Sequence, residues 1–85
     1  MRILLVEDDV KLCEAVAFAL NEEGFELDVC HDGDDGLRWA REGAHDLILL
    51  DRMLPVMDGV TVLRKLRSGG ISTPVLLVTA LGNIG

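Results

Sequence analysis

The run Leu47-Ile48-Leu49-Leu50-Asp51-Arg52-Met53-Leu54-Pro55-Val56-Met57-Asp58-Gly59 changes character at Asp51. Its first four residues are apolar, and so short a run reads as a strand buried on both faces. That strand passes directly into an acid. Pro55 and Gly59 then bracket a loop, and from residue 60 the apolar spacing becomes helical. A strand that is apolar on both faces belongs in the middle of a helix-covered parallel sheet. A carboxylate at its C-terminal end stands where such sheets bind ligands.

The same alternation extends in both directions. Ile3-Leu4-Leu5-Val6 reads as another fully buried strand, and Val75-Leu76-Leu77-Val78, introduced by Pro74, as a fourth. Leu27-Asp28-Val29-Cys30-His31 alternates and is expected at a sheet edge. The intervals have helical spacing: residues 10–22 with Leu12, Val16, Ala19 and Leu20 on one face, 34–42 with Leu37, Ala40 and Trp39 inward, and 60–68 with Val60, Leu63 and Leu66 inward. Gly24, Gly43 and Gly69-Gly70 stop them. Strands alternating with helices across short loops predict an α/β domain with a parallel sheet ordered 2-1-3-4. Right-handed crossovers put the first helix on one sheet face and the other two on the opposite face.

Composition narrows the function. The 85 residues suffice for one domain, and a 49% hydrophobic content argues for a folded one. A formal charge of −7 argues against direct nucleic-acid binding and is compatible with a divalent cation or a basic partner. No apolar run approaches the roughly 20 residues of a membrane span. The N-terminal run meets acids after Val6, which is not a signal peptide, so a cytoplasmic protein is expected. Cys13 and Cys30 lack zinc or redox spacing and read as reduced core thiols; His31 and His45 lack metal-ligand spacing and read as surface or loop residues.

The residues at the strand ends carry the chemistry. Glu7, Asp8 and Asp9 follow the first strand, His31-Asp32 the second, Asp51 the third, and Thr79-Ala80 the fourth. The expected strand order gathers Glu7, Asp8 and Asp51 around one crevice, with Thr79 on its flank. Three carboxylates so placed repel one another unless a proton or a cation neutralises them. All-oxygen ligands suit Mg²⁺, and a carboxylate can itself be the nucleophile of phosphoryl transfer. Taken singly, each residue has a plainer reading: the first acids as helix caps, Asp51 as a solvated strand-end acid, Thr79 as a β-prone residue or cap. Matching chemistry at three strand ends favours the joint site.

Leu5-Val6-Glu7-Asp8, Asp32-Gly33, Leu49-Leu50-Asp51, Met53-Leu54-Pro55, Met57-Asp58-Gly59 and Pro74-Val75 leading to Val78-Thr79-Ala80 together resemble the receiver domains of two-component response regulators, most closely the OmpR-like subclass. The resemblance implies a flavodoxin-like (CheY-like) doubly wound fold. It implies Asp51 as the phosphoacceptor, Asp8 as a direct Mg²⁺ ligand, Glu7 as a ligand through water, and the Met53 backbone carbonyl completing the protein ligands. Thr79 would hydrogen-bond the phosphoryl group, Ala80 would leave space for it, Pro55 and Gly59 would shape the loop, and Asp9 would be mainly a helix cap. The implied donor is a phosphohistidine on a sensor histidine kinase. The implied output is transcription regulation through a winged-helix DNA-binding domain that this chain does not contain. Phosphorylation and dephosphorylation would be self-catalysed, outside conventional enzyme action.

A full receiver continues with a fourth helix, a fifth strand followed by a lysine, and a fifth helix. This sequence stops at Asn83-Ile84-Gly85, and Lys11 and Lys65 do not match that lysine. The expectation is therefore a receiver lacking its C-terminal third, with an open fourth strand favouring a homo-oligomer, including a domain-swapped one. Three other readings compete with this one. The first is a phosphorylation-incompetent dimerisation module. A haloacid-dehalogenase-like phosphohydrolase needs a second acid where Met53 stands. In a flavin-binding protein the acidic first loop would repel the flavin phosphate.

Overall fold

The structure is a computed structural model and describes residues 1–78. Its elements run β1 (Arg2–Val6), α1 (Val10–Glu22), β2 (Glu26–Cys30), α2 (Gly33–Ala40), β3 (Leu47–Asp51), α3 (Gly59–Ser68) and β4 (Val75–Val78). All pairings are parallel, and the strand order is β2-β1-β3-β4. The expected flavodoxin-like (CheY-like) sheet is thus present, with β2 at one edge and β1 and β3 in the centre.

The two faces of the sheet are covered unequally. Leu4, Val6, Cys30, Ile48 and Leu50 point to one face and form the main core with Leu37 and Ala40 of α2 and Val62 and Leu66 of α3. Burial of such side chains contributes about 1.5–3 kcal/mol each. On the other face Ile3 and Leu5 are buried, and α1 packs chiefly against β2, with Cys13 its one fully buried residue. Leu47 and Leu49 are half-buried and Leu76 is exposed.

Several expectations need correction. Ala19 is exposed, because the buried stripe of α1 runs through Leu12, Cys13, Val16 and Leu20 and leaves Ala19 beyond its margin. Trp39 is exposed for the same reason: Gly36, Leu37 and Ala40 form the inner face of α2. In α3, Val62 and Leu66 are the fully buried residues, while Val60 and Leu63 are half-buried. His31 lies just outside β2. His45 lies in the loop before β3, within the expectation of a surface or loop residue, but it is buried, and its Nε2 lies 2.7 Å from Asp28 Oδ2. Arg2 Nη2 donates to the same oxygen at 2.9 Å. Hydrogen bonds from His45 first, and from Arg2, hold the Asp28 carboxyl below its ordinary range. This cluster ties β1 and β2 to the loop before β3, at the end of the sheet away from Asp51.

Candidate functional site

Strand register brings the acids together. Val6 stands opposite Leu50, and the next residues are Glu7 and Asp51. Ligand oxygens of Glu7, Asp8 and Asp51 lie within 4.8 Å of one another. Glu7 and Asp51 are 1% and 5% exposed, so both carboxylates have lost most of their water, whereas Asp8 faces solvent.

Local hydrogen bonds orient these groups. The Asp9 amide donates to Glu7 Oε2 at 2.9 Å, and the Met53 amide donates to Asp51 Oδ1 at 3.2 Å. Among the described residues Glu7 Oε1 is buried with no partner. Burial pushes the Glu7 carboxyl up to about 7 from an ordinary 4.5; the Asp9 amide opposes this, and the Asp8 and Asp51 carboxylates reinforce it. Such a site suits a hard divalent cation. Its side-chain donors are all oxygens, their repulsion calls for a positive charge, and one buried oxygen has nothing to accept from among the described residues.

The loops around the acids are held by caps and close backbone approaches. Asp9 caps α1 by accepting from the Leu12 amide at 3.0 Å, as expected. Asp32 caps α2 through the Asp35 amide, and Asp58 caps α3 through the Thr61 amide and hydroxyl. The Gly33 amide donates to the Pro55 carbonyl at 3.2 Å, and a Cβ on Gly33 would fall 1.8 Å from the Met57 carbonyl oxygen. A Cβ on Gly59 would fall 2.3 Å from the Asp51 carbonyl oxygen. The two Asp-Gly pairs therefore let α2 and α3 start hard against the loop that follows Asp51.

Two residues that look like plain core or surface positions in the sequence, Cys13 and His31, also reach the site. Cys13 Sγ donates to the Glu7 carbonyl oxygen at 3.2 Å, and His31 Nδ1 lies 3.0 Å from the same oxygen. Burial pushes the Cys13 thiol up to about 11, so it stays protonated and able to donate. The sequence signal for His31 was its place immediately after a strand end. Thr79 and Ala80 lie outside the described residues.

Residues 3–84 match the family described as Response regulator receiver domain. The chain belongs to that family. It is 44% identical over 80 residues to the transcriptional regulatory protein DltR of Streptococcus agalactiae, covering 94% of this chain and 36% of that protein. It is also 44% identical over 84 residues to the transcriptional regulatory protein CusR of Escherichia coli, covering 99% of this chain and 37% of that one. These relatives are OmpR-family transcriptional regulators, and the chain spans little more than a third of their length. Among solved receivers, the BeF3-activated N-terminal domain of Klebsiella pneumoniae RstA superposes with a TM-score of 0.87 at 36% identity, covering 95% of this chain and 68% of that one. Thermotoga maritima TrrA, solved in complex with Mg²⁺-BeF, gives 0.86 at 33% identity, covering 93% and 69%.

Proposed function

We propose that this receiver accepts a phosphoryl group on Asp51 from a phosphohistidine of a sensor histidine kinase, in a Mg²⁺-dependent reaction. The observation that carries this reading is the convergence of Glu7, Asp8 and Asp51 within 4.8 Å, with a buried, unpartnered oxygen on Glu7. An Asp51 carboxylate oxygen forms the new O–P bond as the P–N bond to the donor imidazole breaks, and the released ring nitrogen is left to take up a proton. The Met53 amide is already on Asp51 Oδ1, and Oδ2, which has no hydrogen-bond partner among the described residues, is the oxygen for attack. Asp8, Asp51, the Met53 carbonyl and, through water, Glu7 would hold the cation. When bound it supplies positive charge that offsets repulsion between the carboxylates and the incoming phosphoryl oxygens. Thr79 is the proposed phosphoryl hydrogen-bond donor, on the strength of the family pattern.

The regulatory output follows the relatives: a cytoplasmic transcription regulator whose DNA contacts come from an effector domain elsewhere in the whole protein. Among the described residues no helix is long and apolar enough to cross a membrane. A second reading, a homo-oligomerising module, has exposed Leu76 on β4 in its favour.

The test is incubation with MgCl₂ and a small acyl phosphate, followed by intact-mass measurement. Wild-type protein gains one phosphoryl group, while Asp51→Ala and metal-chelated wild type do not. An adduct that persists in Asp51→Ala overturns the assignment, and no adduct on wild type favours the oligomerising module.

A further inference from the structure

The peptide that joins Glu7 to Asp8 is planar, so holding its carbonyl fixes the two Cα atoms from which the carboxylates project. Its oxygen receives two side chains from different elements. Cys13 Sγ comes from α1 at 3.2 Å, and His31 Nδ1 comes from just beyond β2 at 3.0 Å; the two donor atoms are 3.8 Å apart. A carbonyl oxygen only accepts, so the hydrogen lies on Nδ1 in this arrangement. The Glu7 amide on the other side is held by the Cys30 carbonyl at 3.0 Å, and the Asp9 amide holds the Glu7 side chain. Of these restraints only the Cys13 and His31 contacts are made by side chains of other elements onto this carbonyl, and neither contact is part of the helix or sheet ladder.

Given the Mg²⁺ reading of the acidic site, on which this rests, we infer that Cys13 and His31 are positioning residues that clamp the Glu7–Asp8 peptide and thereby aim both carboxylates for the cation. Neither touches the ion. They act as the hydrogen-bonded supports of metal ligands do, by removing alternative orientations before the metal arrives. The clamp also links the ends of β1 and β2 with the start of α1, so the acidic loop cannot turn without breaking contacts to two other elements.

The experiment is calorimetric titration of the purified protein with MgCl₂ alone, alongside thermal unfolding in chelator. His31→Leu and Cys13→Ala remove a donor, and each weakens Mg²⁺ binding about tenfold, at the low end for lost ligand supports. His31→Asn and Cys13→Ser keep a donor near the same place and bind within about twofold of wild type. His31 is exposed, so its variants fold even where Cys13→Ala does not. Unchanged affinity in His31→Leu overturns the clamp, and so does equal weakening in His31→Leu and His31→Asn. If wild type binds no Mg²⁺, the metal reading fails and the clamp falls with it. If wild type binds and Asp8→Asn does not, the metal reading stands whatever the clamp variants do.

Discussion

Glu7 and Asp51 end neighbouring strands and hold their carboxylates in one buried crevice, and Glu7 carries the larger consequence. Its carboxyl is held at about 7, with burial the main cause. An acid raised this far is neutral in the folded metal-free protein at pH 5 and must ionise as pH rises. The unfolded chain ionises it near 4.5, so folding stability is greatest below that value and is lost as pH climbs to about 7. Metal-free protein should therefore lose about 3 kcal/mol between pH 4.5 and 7.5 from this one group. Glu7→Gln should flatten that limb and be the more stable protein at pH 8. Urea unfolding in chelator across this range checks both, and saturating Mg²⁺ should restore wild-type stability at pH 8 by mass action.

Gly59 answers a different question, how closely α3 can start to Asp51. A Cβ there meets the Asp51 carbonyl oxygen at 2.3 Å and the Arg52 Cα at 2.9 Å, both backbone atoms that cannot rotate aside. Gly59→Ala should cost about 1–3 kcal/mol through forced backbone displacement, and phosphoryl uptake at Asp51 should fall with it. Gly69→Ala is the control: its nearest neighbour would be the Lys65 carbonyl oxygen at 3.3 Å, at the exposed end of α3. It should unfold within about 0.5 kcal/mol of wild type. Denaturant midpoints and intact mass after acyl-phosphate treatment separate the two.

These residues also mark how much could be read from the chain alone. The central strands were legible because Ile3-Leu4-Leu5-Val6 and Leu47-Ile48-Leu49-Leu50 are apolar on both faces, which helix-covered parallel strands require. The meeting of Glu7 with Asp51 followed from the expected strand order 2-1-3-4, which makes β1 and β3 neighbours with ligand-binding C-terminal ends. Contacts set by side-chain direction were not legible. Cys13 looked like any buried thiol, and nothing local says that it and His31 share one carbonyl oxygen. The burial of loop residue His45 was not legible because it depends on Asp28 of the edge strand β2, distant in sequence. Gly33 entered only through the Asp32-Gly33 resemblance, since its close approach to Met57 depends on how α2 seats on the far loop.

The Asp28 cluster predicts a separate, acid-side limb. His45 and Arg2 lower the Asp28 carboxyl, so its contribution is present above the unfolded value near 4 and is lost as pH falls through the folded one. Asp28→Asn should remove the part of the stability loss below about pH 4 that belongs to this group. At pH 7 the same variant should be about 1–2 kcal/mol less stable, because hydrogen bonds to a charged acceptor are replaced by weaker ones. Mg²⁺ binding should not change, since the cluster sits at the opposite end of the strands from the acids. Urea unfolding at pH 3, 5 and 7 with a parallel metal titration reads all three.

Val56 is the one described non-glycine residue with positive φ, at 71°, and its side chain is 81% exposed. A β-branched residue is poorly suited to the left-handed region, where Cβ crowds the carbonyl at a cost of roughly 1–2 kcal/mol. The exposed side chain has little packing to offset that cost. The turn itself is held by the Met57 amide donating to the Pro55 carbonyl at 2.7 Å, and by the Gly33 amide donating to that same carbonyl. Replacing Val56 therefore relieves strain without removing a restraint. Val56→Asn, whose short polar side chain tolerates this conformation, should raise stability by about 1 kcal/mol, or about 4–8 °C in Tm for a domain of this size. Val56→Ile, which keeps the branching, should not. Because the strained turn connects the Asp51 loop to the start of α2, phosphoryl uptake measured alongside the melting curves shows whether the strain serves the site. An unchanged rate in the stabilised Asn variant means that it does not.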